Sequence, residues 1–298
     1  MHTFRGTALA AVAAASLVGL SACAPGSGSA SGGGKAAHPS AVRSSASAVT
    51  GGGGSPELSA VDALALVKKR TSSVHSAKFE LTVKTGGTPS LTESGALDWS
   101  HGVRMTMTAE VTDASALRSM RSAGLDGTIR YRLLPDVYYL DLGPGAAAHL
   151  GGKHWIRYGV DELATSSAGA YVTDVLQSQD LSRAVDLVLA SRDVREVGTE
   201  SVRGVPATHY RGTIALADLT RLRAPHLSAA QRADVERSMR KAGVTEEKLD
   251  VWVSADHLPL KKVATEGENV TTMYWWGYGT PVRVQAPPAS DSVDAAGL

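Results

Sequence analysis

One sulfur nucleophile exists in this 298-residue chain, the thiol of Cys23. A thiolate can accept an acyl or alkyl group, ligate a metal or form a disulfide. With one cysteine no internal disulfide is available, so an apolar core must hold any folded domain. The other groups capable of chemistry fall short of a constellation. The nine histidines contain no His-x-x-x-His or His-Glu pairing of the kind a metal site needs. His149 and His154 flank Gly151-Gly152 and read as solvated loop residues. No Gly-x-Ser-x-Gly elbow occurs. Gly143-Pro144-Gly145 follows a strand but lacks the parallel βαβ setting of a dinucleotide loop. The glycines before Lys35 lack a phosphate-loop glycine at Ser29. Asp161-Glu162 and Glu246-Glu247 read as an element boundary each rather than an acid–base pair. Asn269-Val270-Thr271 is a chance glycosylation triplet. The expectation is no catalytic residue, no metal and no cofactor.

Cys23 gains meaning from what precedes it. Met1 to Arg5 carries one firm positive charge, and Gly6 to Leu20 is almost entirely Ala, Val and Leu. A basic start, an apolar run and small residues make a secretory signal. The run falls short of the roughly 18–20 residues of a spanning helix. Leu20-Ser21-Ala22-Cys23 resembles the lipobox of bacterial lipoproteins. That resemblance implies cleavage before Cys23, transfer of a diacylglyceryl group to its sulfur, and acyl chains such as palmitate in the extracytoplasmic face of the cell membrane. The expected organisation is a signal over 1–22, then the lipidated cysteine with a Gly/Ser/Ala-rich tether over 23–55. A single domain over 56–286 and a disordered tail over 287–298 follow. The tether buries nothing and has an r.m.s. span of about 30 Å, or about 110 Å at full stretch. Loss of Arg5 with the signal leaves the basic and acidic residues in balance. A footprint for nucleic acid and a polybasic membrane patch are both missing.

Something must then fold between tether and tail. A helix is expected after Pro56 or Ser59, with Leu58, Val61, Leu64 and Val67 at helical spacing and basic residues at its end. After it the period becomes two: Phe79, Leu81, Val83; Val103, Met105, Met107, Ala109, Val111; Ile129, Tyr131, Leu133; Thr208, Tyr210, Gly212, Ile214, Leu216; Leu249, Val251, Val253. Such alternation means antiparallel strands with one dry and one wet face. Turns are expected at Leu134-Pro135-Asp136, Gly204-Val205-Pro206, His257-Leu258-Pro259 and Gly267-Glu268. Helical stretches are expected over Glu162–Leu189 and from Ser228 to a stop at Gly243. The fold class is α+β: one curved antiparallel sheet of about eleven strands with a few helices laid on it. Its dry faces nominate Met105, Met107, Ile129, Tyr131, Leu133, Tyr210, Ile214, Val251 and Val253 as the lining of an apolar cavity. The alternative is that they simply fill a core. Methionine suits either use, being flexible enough to fit irregular contents.

Four segments carry a wider resemblance: Thr128–Leu142 with Lys153-His154-Trp155-Ile156, Val202–Gly212, Leu249–Val253 with Leu258–Lys262, and Tyr278-Gly279 with Pro281-Val282. They are similar to the LppX and LprG lipoproteins of mycobacteria and, more distantly, to the lipoprotein carrier LolA. The resemblance implies a half-open barrel around an apolar cavity, and a lipid or other hydrophobic molecule as its partner. A second expectation is a non-enzymatic envelope sensor that binds a protein partner and holds no lipid. The sequence names neither the ligand nor such a partner.

Overall fold

The computed structural model describes residues 59–163, 181–191 and 193–298. The signal segment, Cys23 and the tether expected over 1–55 lie outside the described residues, as does the middle of the helical stretch expected over Glu162–Leu189.

Helix α1 (Ala60–Ser73) starts where Ser59 accepts the Asp62 amide, and Arg70 sits in its last turn. Leu64, Val67 and Thr71, spaced three and four apart, form its buried stripe. Strands β1 (Ser76–Thr85) and β2 (Thr88–Asp98) form a hairpin. Its turn is Gly86-Gly87, both at positive φ, as the twist-matched two-residue turn requires. Then follow β3 (Arg104–Val111), α2 (Ala114–Ser122), β4 (Thr128–Leu134), β5 (Val137–Asp141), a short α3 (Pro144–Ala147), β6 (Trp155–Gly159) and a short α4 (Val160–Leu163). Helix α5 (Leu181–Leu189) precedes β7 (Arg195–Val202) and β8 (Val205–Ala215). Helices α6 (Leu216–Arg223) and α7 (Ala229–Lys241) lead to β9 (Glu246–Ser254), β10 (Pro259–Glu266), β11 (Asn269–Trp276) and β12 (Ser292–Asp294). Helix α7 opens with a capping box, Ser228 and Gln231 bonding each other's backbone. It stops before Gly243, which holds a φ of 81°.

The strands form one curved, unclosed sheet in the order β12-β6-β5-β4-β3-β2-β1-β11-β10-β9-β8-β7. Every neighbouring pair is antiparallel except β12 with β6. The α+β class and the single curved sheet with few helices are as the alternation predicts, and the half-open shape is as the resemblance implies.

Three expectations need correction. The tail over 287–298 is ordered along β6: Ser292–Asp294 pairs with Trp155–Arg157, and Val293 and Ala295 pack on the core. Lys153 Nζ donates to the Ser292 carbonyl at 2.9 Å, and Arg157 pairs with Asp294 at 2.9 Å. Three residues are too few to show a period, and these contacts are between segments distant in sequence. His154 is an exposed loop residue as expected, and its Nδ1 lies 2.8 Å from Asp291. Leu216 opens α6 rather than ending β8. The expected strands also lacked β2, whose inward positions read Leu91, Glu93, Gly95 and Leu97 and so break the apolar alternation.

Candidate functional site

The inner face of the sheet is built row by row from strand register. Met105 pairs with Leu133, Met107 with Tyr131, and Ala109 with Ile129 across β3 and β4. The rows continue through Leu97, Gly95 and Glu93 on β2 and through Tyr138 and Leu140 on β5. At the far end Tyr210 pairs with Val251, and Thr208 with Val253, across β8 and β9. All nine residues nominated from sequence are buried on this face. They do not form one contiguous group. Met105, Met107, Ile129, Tyr131 and Leu133 belong to one apolar cluster. Tyr210, Ile214, Val251 and Val253 belong to another.

The cause of the split is what each half packs against. Leu64 and Val67 of α1, Val185 and Val188 of α5, Leu216 and Leu219 of α6, and Val235 and Met239 of α7 fill the space over β8 and β9. That half is a helix-capped core. Over β1 to β6 the cluster is mostly strand residues, with Met120 of α2, Ala146 of α3 and Leu181 of α5 reaching it among the described residues. Gly95 keeps this wall thin: a Cβ there would lie 2.2 Å from the Thr106 carbonyl oxygen and 3.0 Å from the Phe79 ring.

Sequence reasoning missed the polar residues of this face. Glu93 points inward from β2, is 3% exposed, and its Oε1 has no hydrogen-bond partner. Burial pushes its carboxyl up to about 8. The Tyr138 hydroxyl is also buried without a partner, its ring stacked 5.8 Å from Tyr131. Desolvation first, and then neighbours that include Glu93, raise its pKa well above 10. The signal was available in Leu91-x-Glu93-x-Gly95-x-Leu97, an acid at a dry position of a period-two run.

A second polar group sits under α6. Arg223 reaches down to Glu247, which is fully buried, and to Glu266 at 2.6 Å. Burial and the neighbouring Glu266 push the Glu247 carboxyl up. Burial acts on Glu266 the same way, but Arg223, Glu247 and Lys262 together outweigh it and hold that carboxyl down. Lys262, facing the same cluster, is pushed down by desolvation.

The outer face carries a different pattern. The His209 ring lies between Glu200, 2.9 Å from Nδ1, and Asp250, 2.5 Å from Nε2. It stacks on Trp252 at 4.1 Å. Lys261 lies 4.0 Å over Trp252, and Arg203 4.1 Å over Tyr274. These contacts tie β7 through β11 together by ion pairing and cation–π attraction. Among the described residues no three His, Cys, Asp or Glu side chains are placed to hold a metal ion. Among them, too, no helix is long and apolar enough to cross a membrane. An open groove of 430 Å³ beside α7 is walled by Ala233, Glu236, Arg237, Arg240 and Lys241. It shares no residue with the inner wall.

No family model matches the chain. Among solved structures it is similar to LprF from Mycobacterium bovis, 13% identical with a TM-score of 0.47 over 76% of this chain and 96% of that one. It is likewise similar to the lipoprotein LppX of Mycobacterium tuberculosis, 13% identical with a TM-score of 0.48 over 76% and 98%. An uncharacterized 31.2 kDa protein of Streptomyces griseus is 39% identical over 245 residues, covering 80% of each chain. A candidate lipoprotein of Streptomyces coelicolor is 33% identical over 300 residues, 98% of this chain and 95% of its own. Identity at that level along almost the whole length of both proteins places the chain in the family of this Streptomyces lipoprotein.

Proposed function

We propose that the protein is a non-enzymatic envelope lipoprotein that binds a lipid or other hydrophobic molecule against the inner face of its sheet. Lipid on Cys23 anchors it at the extracytoplasmic face of the membrane. The observation that carries this reading is the wall over β1 to β6. It is apolar, methionine-rich and part of an unclosed sheet, and its helix cover among the described residues is slight. Burying acyl chains there is worth roughly 0.8 kcal/mol per CH₂, and no covalent step is needed. Native mass spectrometry of the protein purified without detergent is the test. A co-purifying lipid is expected, and an empty protein overturns the reading. Anchoring has its own test, because one acyl-bearing residue is the sole membrane signal in the sequence. Cys23→Ala is expected to move the protein from the membrane to the soluble fraction, and retention on membranes through an alkaline wash refutes the lipid anchor.

The outer face favours a second reading, a partner-binding module. Trp276 is 40% exposed beside the Arg203 and Tyr274 stack, and exposed aromatics with arginine are typical of protein contacts. An empty protein that retains a specific protein partner would favour it.

A further inference from the structure

The two apolar halves of the inner face meet along β10 and β11, and there a cation interrupts the apolar rows. Lys262 points inward from β10, paired with Val251 of β9 on one side and Met273 of β11 on the other. Val251 belongs to the helix-capped core, and Met273 packs on the strand-built cluster. Lys262 therefore stands at the border between them. Its row continues through Leu81 to Glu93, the buried acid of β2. The border is also where the cover is thinnest. Lys262, Thr271 and Met273 are only half-buried, whereas Tyr210 and Val251 to one side and Leu81 and Glu93 to the other are buried.

The ammonium lacks the close partner that a charge in such a place needs. Three charged groups act on it: Glu247 from β9, Glu266 from its own strand and Arg223 from α6. Arg223 takes both carboxylates in direct ion pairs. Among the described residues Lys262 Nζ is left with neither a hydrogen bond nor an ion pair of its own, and it is not among the sealed polar atoms of the fold. A lysine retained only to balance Glu247 and Glu266 would touch one of them. Desolvation pushes the Lys262 amine down despite the pull of the two carboxylates. An anion arriving at the border would restore the lost stabilisation in a charge-assisted hydrogen bond. An uncharged head would not. The apolar surface beside Lys262 runs one way only, through Met273 and Leu81 into the strand-built half, because helices fill the other side.

We propose that Lys262 binds the anionic head, carboxylate or phosphate, of an amphiphile whose chain lies over Met273 and Leu81 toward Met107. This rests on the lipid-binding reading and adds to it a headgroup and a direction. Four strand spacings, about 19 Å, separate β10 from β3, so the chain is a long one. The test titrates the full chain at pH 7 with three fluorescent probes of equal chain length: a fatty acid, an alkyl phosphate and the matching alcohol. The wild type is expected to bind both anions about ten- to a hundredfold more tightly than the alcohol, the worth of a hydrogen bond to a charged group. That comparison needs no variant to fold. Lys262→Met keeps an unbranched apolar stem without the charge and is expected to abolish the difference while binding the alcohol as wild type does. Lys262→Arg keeps the charge and is expected to retain it. A purely structural role beside Arg223 would shift melting temperature and all three affinities together, leaving the difference between heads intact. Millimolar inorganic phosphate is expected to leave the alkyl phosphate bound, and displacement by it would make the ligand a free anion and overturn the amphiphile. A wild type indifferent to the head, or a Lys262→Met variant that retains the preference, overturns the assignment and leaves lipid binding standing. A wild type that takes up none of the three probes overturns both.

Discussion

Glu93 also leaves a mark on folding that is independent of any ligand. Its carboxyl ionises at 4.5 in an ordinary setting and at about 8 when buried in the fold. Below pH 4.5 folded and unfolded chains both hold the proton, so the residue adds no pH dependence. Between 4.5 and about 8 the unfolded chain releases it while the folded chain retains it. Stability then falls as pH rises, by up to about 1.4 kcal/mol per pH unit for one proton. Above about 8 the slope vanishes. Glu247, whose carboxyl is also pushed up by burial, acts in the same direction. The expected result for Glu93→Gln is a shallower decline of melting temperature between pH 5 and 8, reduced by one proton's worth. An unchanged slope in urea titrations across that range would show that Glu93 is solvated. The period of Leu91-x-Glu93-x-Gly95-x-Leu97 sets the acid at a dry position, and the register, which puts Glu93 opposite Leu81 and Ala109, fixes the direction it points.

Elements were legible in proportion to their length and regularity. Strands β3, β4 and β9 carry an apolar residue at every second position over Met105–Val111, Ile129–Leu133 and Leu249–Val253 and could be read directly. The turn expected at Gly204-Val205-Pro206 falls one residue earlier, at Arg203-Gly204, both at positive φ, and Val205 and Pro206 open β8. Strand β12 could not be read, because its order derives from β6, more than 130 residues earlier. That docking can be probed through His154, whose pKa is raised by its hydrogen bond to Asp291 and by that carboxylate's charge. A group raised in the folded state contributes its stabilisation below its unfolded value near 6.5. The contribution is lost as pH climbs through the folded value. Asp291→Asn is expected to bring the His154 titration, followed by NMR, back down toward 6.5. If the two titrations coincide, residues 289–297 do not dock on β6 in solution. Deleting residues 289–298 is expected to expose Ile156, which faces Val293, and to lower the melting temperature by a few degrees, the effect of losing one or two buried apolar contacts.

At the scale of the whole molecule one face of the sheet is covered in two different ways. The sequence showed that face to be dry along its strands but contained no statement of what covers it, since cover depends on where α1, α5, α6 and α7 fall in space. Helices α5 and α6 pack on β8 and β9, with α1 against α5 and α7 against α6, so Val251 has no exposed surface and touches a filled core. Met107 is also buried, yet it lies in a cluster of mainly strand residues beside Gly95 and Tyr131. Enlarging each residue separates the two situations. Val251→Phe adds volume where side chains already interdigitate, and overpacking of that kind costs typically about 1–3 kcal/mol. For a domain of this size that is a fall of roughly 2–4 °C in melting temperature per kcal/mol. Met107→Trp adds volume on the wall proposed to hold ligand. There the expected outcome is nearly unchanged melting with loss of uptake of a fluorescent acyl probe, because the indole occupies space that acyl chain would fill. Equal destabilisation by both substitutions would make the β1 to β6 half a solid core like the other, and the ligand reading would then give way to the partner-binding one. An unaffected Val251→Phe variant would instead show that the helices over β8 and β9 leave room, and the cavity would extend across the whole inner face.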